Sequence, residues 1–254
     1  MGKYATEDDL IYNTSTRIPV CLVVDTSSSM LRITDDLTGV APSRQEFRDG
    51  QMWNIFDGNF NTSMTQVVEG VNRFYDAIRE DELAKDSCEI AIVTFDDNVK
   101  VLEDFQTIDQ KETFKEPPTG DNTNLGAAVN KALDLLDERK QQYKRNGVEY
   151  YQPWIIILTD GDATDVEVAK QAQERCRRLE DDKKLTVFAF AIGDADKSKL
   201  QPFSRRKVLS IKDDKIKEFF EWLGKSVSIV TTTPTGEKVK LDTNVDEWLS
   251  LDDL

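Results

Sequence analysis

Three short polar segments hold the side chains best suited to chemistry in this chain. They are Asp25-Thr26-Ser27-Ser28-Ser29, the stretch Thr119 to Asn124, and Thr159-Asp160-Gly161-Asp162. Their donors are all oxygens, from hydroxyls, carboxylates and amides. Several hydroxyls with few carboxylates suit a small, hard cation that keeps some of its waters, which points to Mg2+, with Mn2+ as the other choice. Zinc and copper fit poorly, because the chain contains no histidine and offers no thiolate in these segments. The lack of histidine also excludes histidine-based nucleophile triads and the H-R-D catalytic loop of kinases.

Such donors act together only if the chain gathers them, so the elements around them matter. The apolar run Ile18 to Val24 is too short for a helix and predicts a strand buried on both faces, ending at Asp25. Met64, Val67, Val68, Val71, Phe74, Tyr75 and Ile78 step by three and four, predicting an amphipathic helix to about Arg79. A strand follows over Ser87 to Phe95, then a short antiparallel edge strand over Asn98 to Leu102. Leu125, Ala128, Val129, Ala132 and Leu136 mark a second helix that stops near Asn146-Gly147. Trp154 to Leu158 predicts another buried strand, leading into Thr159-Asp160. Thr164-Asp165-Val166-Glu167 reads as a capping box for a third helix, with Ala169, Ala172, Cys176 and Leu179 inward. Strands at Leu185 to Ile192 and Lys207 to Ile211 precede a last helix carried by Ile216, Phe219, Phe220, Leu223, Val227 and Val230. This alternation predicts an α/β fold: three layers, α/β/α, Rossmann-like and doubly wound, with a mostly parallel sheet and one short antiparallel edge strand. In such sheets ligands bind beyond the carboxyl ends of the strands, where the three polar segments fall.

Two stretches do not join this rhythm. Leu31 to Ser63 shows no clear helical or strand period and reads as an insertion that either carries function or pins itself by its aromatics. Residues 231–254 read as an acidic tail, with a short hairpin or strand near Lys238 to Leu241. The expected division is therefore an N-terminal extension over 1–16, a domain over 17–230 with the insertion at 31–63, and the tail. The net charge of −15 argues against nucleic-acid binding. No apolar run is long enough to span a membrane, and MGKYATEDDL is no signal peptide. Cys21, Cys88 and Cys176 are odd in number and lie in apolar segments, so reduced core thiols and a cytoplasmic setting are expected.

Asp25-x-Ser27-x-Ser29 after an apolar strand, Thr123 in a glycine-containing loop and Asp160-Gly161 after a later strand together resemble the metal-ion-dependent adhesion site (MIDAS) of von Willebrand factor type A domains. The resemblance spans roughly residues 17–230. It implies Ser27, Ser29 and Thr123 as hydroxyl ligands of Mg2+, with Asp25 and Asp160 holding the ion directly or through water. It also implies a protein partner whose Asp or Glu carboxylate completes the coordination, and no enzymatic activity. The stretches VVEGVNRFYDAIREDELAKDSCEIAIVTFDDNV, NTNLGAAVNKALDLL and IIILTDGDATD are similar to the bacterial TerY-like branch, whose members are associated with tellurium resistance and stress. The insertion departs from that branch's compact pattern.

Taken singly, Asp25 and Asp160 suit helix caps, Ser27 and Ser29 suit turns, and Thr123 suits a helix start. Their expected convergence on one crevice favours the ligand reading. A phosphotransfer protein would want paired acids after its first strand, but Thr26 follows Asp25, and a haloacid-dehalogenase-type phosphatase would want an acid where Ser27 stands. A regulatory subunit of an ATPase-driven remodelling or chelatase-like complex is a further alternative, and with no P-loop in this chain the nucleotide chemistry would come from its partner.

Overall fold

The structure, a computed structural model, describes Leu10 and residues 13–48 and 51–233. The first strand, β1 (Ile18–Asp25), is fully buried, as its unbroken apolar run requires. Its side chains alternate between two cores. Val20, Leu22 and Val24 face one layer, while Cys21 and Val23 face the other. Inside the insertion lies a hairpin of β2 (Arg44–Arg48) and β3 (Gln51–Ile55), separate from the main sheet. Then come α1 (Ser63–Glu80), α2 (Glu82–Ser87), β4 (Cys88–Phe95) and β5 (Val99–Thr107). The second half runs α3 (Leu125–Asn146), β6 (Trp154–Thr159), α4 (Val166–Asp181), β7 (Thr186–Ile192), α5 (Lys197–Leu200), β8 (Leu209–Ile211) and α6 (Ile216–Thr232).

The main sheet has the order β5-β4-β1-β6-β7-β8, with only β5 antiparallel. Helices α1 and α6 cover one face and α3 and α4 the other, giving the expected three layers. From β1 the chain crosses to β4 on one side and later to β6 on the other. The carboxyl ends of β1 and β6 therefore meet at the switch point of the sheet, where an open crevice forms.

Several local expectations change. The insertion contains a hairpin where no strand period was legible, because its strands are short and stand apart from the main sheet. The edge strand extends to Thr107, past the expected Leu102, with register shifts between Ile90 and Val93 in its pairing with β4. Asp165 does not cap its own helix, so the expected Thr164-Asp165-Val166-Glu167 capping box is not formed. The expected strand near Lys238 to Leu241 lies outside the described residues, as does nearly all of the extension over 1–16. The stop at Gly147 is as expected, with φ of 67° ending α3 in the left-handed conformation. Cys21, Cys88 and Cys176 are free and buried. Among the described residues no helix is long and apolar enough to cross a membrane.

Helix α6 lies against α1 through Gly70, where a methyl group would come within 2.2 Å of the Phe220 ring. Phe220 is itself fully buried between Phe74 and Phe219, so it has little room to retreat. Gly70→Ala is therefore expected to destabilise the protein by about 1–3 kcal/mol despite the better helix propensity of alanine. A denaturant melt checks this, and an unchanged or raised midpoint would show that the α1–α6 contact is loose.

Candidate metal centre

Asp25 ends β1 at the switch point and is fully buried. Its Oδ1 accepts the Ser27 N–H at 2.8 Å and its Oδ2 accepts the Thr159 hydroxyl, so both oxygens are held from two adjacent strands. Ser27 Oγ lies 2.9 Å from Ser29 Oγ, and Ser29 Oγ donates to Asp160 Oδ1 at 2.7 Å. A continuous run of oxygens thus joins the end of β1 to the end of β6. Burial grades along it, from the enclosed Asp25 and Ser27 through half-buried Asp160 to exposed Ser29. The run opens to solvent at that last side.

Thr123 comes from a different direction. The Gly120 loop pairs with the Ser27 segment, Ser28 N–H donating to Gly120 O at 2.7 Å and Gly120 N–H to Thr26 O at 3.1 Å. Asp97 fixes the far side of that loop by accepting the Asp121 N–H at 3.0 Å and the Asn122 side-chain amide. Gly120 has no room for a side chain, since an added methyl would lie 2.5 Å from Asp97 Oδ2. Thr123 N–H then donates to Thr164 Oγ1 at 3.2 Å, while Thr164 N–H donates to Thr123 O at 2.9 Å. This two-way bond places the Thr123 hydroxyl against the Asp160 loop, where a methyl on Gly161 would stand 3.6 Å from Thr123 Oγ1. All five residues singled out from the sequence therefore sit around one crevice.

The electrostatics are unusual for a buried carboxylate. Burial pushes the Asp25 carboxyl up to about 6, and the nearby Asp160 adds to this, while the bonds from Thr159 and Ser27 oppose it. Among the described residues no basic side chain is bonded or ion-paired to Asp25. A buried anion held only by neutral donors and facing a second acid is a place where a cation gains more than it would in water. Among the described residues no three acidic, histidine or cysteine side chains form a group that could hold a metal ion. The five side chains offer two carboxylates and three hydroxyls, an all-oxygen set that fits a divalent cation keeping some of its waters.

Sequence reasoning placed Thr159 and Gly120 in its polar segments and Thr164 in an expected helix cap, but did not show that they and Asp97 position the donors. Thr159, Thr164, Asp97 and Gly120 act through contacts across 24 or more residues of chain or from neighbouring strands, and single-residue patterns carry no signal for that. Asp165 is taken up by the start of α3, accepting from Gly126 N–H at 3.0 Å and Ala127 N–H at 2.7 Å. There it satisfies two orphan helix donors.

The insertion begins beside this crevice. Leu31 follows Ser29 by one short turn, and Thr34 N–H donates to Asn61 O at 2.8 Å to close the base. Beyond that base the hairpin presents Phe47 and Met52 as a cross-strand pair, exposed at 70% and 59%.

The chain matches the family model of the von Willebrand factor type A domain over residues 20–221. No curated protein matches it. Solved structures share its fold at low identity. The von Willebrand factor domain of the type V pili tip protein Mfa5 from Porphyromonas gingivalis is 11% identical with a TM-score of 0.59, over 88% of this chain and 98% of that one. The PilB minor pilin from Streptococcus sanguinis is 12% identical with a TM-score of 0.54, over 84% and 62%. Proximal thread matrix protein 1 from the mussel byssus, solved with a zinc-occupied MIDAS motif, is 14% identical with a TM-score of 0.50, over 85% and 49%. This chain spans about half the length of that byssus protein.

Proposed function

The chain belongs to the von Willebrand factor type A domain family, and from that premise we propose that it is a non-enzymatic, Mg2+-dependent protein-interaction module. Asp25, Ser27, Ser29, Thr123 and Asp160 would hold the ion, with Mn2+ an acceptable substitute. The observation that carries this reading is the hydrogen-bonded run Asp25, Ser27, Ser29, Asp160 at the switch point, anchored on a buried carboxylate that has no basic partner among the described residues.

A bound Mg2+ supplies a Lewis-acidic position that a further oxygen ligand can complete. The three hydroxyls bring no charge, so the protein's own donors leave the ion undersatisfied and favour an incoming Asp or Glu carboxylate from a partner protein. Ser29 and Asp160 hold the solvent-facing side, where such a carboxylate would arrive. The acidic surface slows an acidic partner's approach at low salt, so the partner is expected to set its carboxylate among neutral or basic groups. The net charge of −15 speaks against nucleic acid. We place the protein in the cytoplasm, away from membranes, in a bacterial stress-response complex of the tellurium-resistance type, on the resemblance of its helix and strand sequences to the TerY-like branch.

Affinity capture tests this reading. The wild-type protein should retain a partner in Mg2+ and release it in EDTA, and Ser29→Ala should retain none. A partner held equally well in EDTA would contradict it. A finer expectation concerns Thr164, whose hydroxyl accepts the Thr123 N–H. Thr164→Val keeps the shape but frees Thr123, and it should weaken Mg2+ binding by about tenfold, as loss of a ligand-orienting contact does. A calorimetric titration with unchanged affinity would remove Thr123 from the ligand set.

A further inference from the structure

Three neighbouring strands of the main sheet each deliver an aspartate at the carboxyl end. Asp25 closes β1, Asp160 directly follows β6, and Asp96 directly follows β4. The first two belong to the candidate metal centre. Asp96 is only 5% exposed, although a carboxylate is costly to bury, and among the described residues no basic side chain is bonded or ion-paired to it. It does not join Asp25 and Asp160 in a group of acids that could hold a metal ion. Asp96 therefore stands behind the donors rather than among them.

Its contacts give the carboxylate two tasks. Oδ1 accepts the Asn98 N–H at 2.8 Å, which closes the turn from β4 to β5 and is structural. Oδ2 faces the other way and accepts from the Thr26 hydroxyl at 3.2 Å, a proton that Thr26 shares with Phe95 O at 3.1 Å. Thr26 is 1% exposed and stands between Asp25 and Ser27 in the chain. The main chain of Asp96 reaches the second donor segment, its carbonyl accepting the Asn124 N–H at 3.3 Å next to Thr123. Gly120 is pressed against the same residue, since a methyl there would stand 2.9 Å from Asp96 Cβ and Cγ. One side chain thus meets both the segment that carries Ser27 and Ser29 and the loop that carries Thr123.

We propose, on the metal reading above, that Asp96 is a positioning residue of the centre: its bond to Thr26 sets the Ser27–Ser29 segment at a fixed spacing from Thr123. Hydroxyl ligands bring no charge to an ion, so their affinity depends on being held in place before it arrives. Neither Asp96 nor Thr26 touches the ion.

Calorimetric titration of the full chain with Mg2+ tests this in Thr26→Val, Thr26→Ser, Asp96→Ala and the double variant of Thr26→Val with Asp96→Ala. Each is read well below its Tm, where a loss of stability alone does not move affinity. Thr26→Val and Asp96→Ala should each bind about tenfold more weakly, as loss of a ligand-orienting contact does. Thr26→Ser keeps the hydroxyl and should bind as the wild type does. The double variant should also lose only about tenfold, because both changes break one bond. Wild-type affinity in Thr26→Val, an equal loss in Thr26→Ser, or losses that multiply in the double variant would overturn the proposal. If Asp96→Ala does not fold, the two Thr26 variants decide it alone. A wild type that binds no Mg2+ is a separate failure, of the metal reading itself, and overturns this proposal with it.

Discussion

Asp25→Asn is expected to abolish the response of the protein to Mg2+ while leaving the fold intact. In the metal-free chain the buried Asp25 carboxyl is pushed up to about 6 by burial, so its charge at pH 7 opposes folding. Asparagine removes that charge. It keeps an oxygen for the Ser27 N–H, and the Thr159 hydroxyl can turn to accept from the new amide. The variant should therefore melt no lower than the wild type in EDTA. What it loses is the gain from the ion, about 2.7 kcal/mol at a hundred times the dissociation constant. For a domain of this size that is a difference of about 5–10 °C in Tm between the two proteins in Mg2+. Equal Mg2+ affinity in a calorimetric titration would remove Asp25 from the site.

A larger loss of stability is expected at the other end of the sheet. Glu89, near the start of β4, is buried and accepts from Arg139 Nε at 2.7 Å and Nη2 at 2.8 Å, and from the Tyr143 hydroxyl. Arg17, also buried, lies with its Nε 3.6 Å from Glu89 Oε1. One carboxylate thus compensates two enclosed guanidiniums. Glu89→Ala leaves both without it and is expected to cost about 3–5 kcal/mol, the usual penalty for removing one partner of a buried ion pair. Replacing the pair together, as Glu89→Leu with Arg139→Met, should cost less than the single change, since only Arg17 then loses the carboxylate. Urea unfolding of the single and double variants checks this. A single variant within about 1 kcal/mol of wild type would mean that water reaches the guanidiniums. Metal affinity should be unchanged in either variant that folds, because the cluster lies at the amino ends of the strands and the crevice at their carboxyl ends.

The contrast between these two regions explains what was legible in the sequence. The strands β1, β4, β6 and β7 are unbroken apolar runs because both faces of a covered parallel sheet are dry, and such runs can be read directly. The five candidate ligands were legible for a related reason: each sits immediately beyond a strand or before a helix whose period is clear. The Glu89 cluster was not, since Arg139 is 50 residues away and nothing in a local pattern pairs them. The cap supplied by Asp165 to α3 was misread for the same cause, a local motif being satisfied by a distant helix. The hairpin of the insertion was invisible because its two strands are only five residues long and show no apolar alternation against the main core.

The most direct test of the account is a thermal-melt titration of the EDTA-stripped protein with Mg2+, run beside Asp160→Ala. The wild type should show a saturable rise in Tm and the variant none. No shift with Mg2+ or Mn2+ in the wild type, or an equal shift in the variant, would contradict a metal held by Asp25, Ser27, Ser29, Thr123 and Asp160.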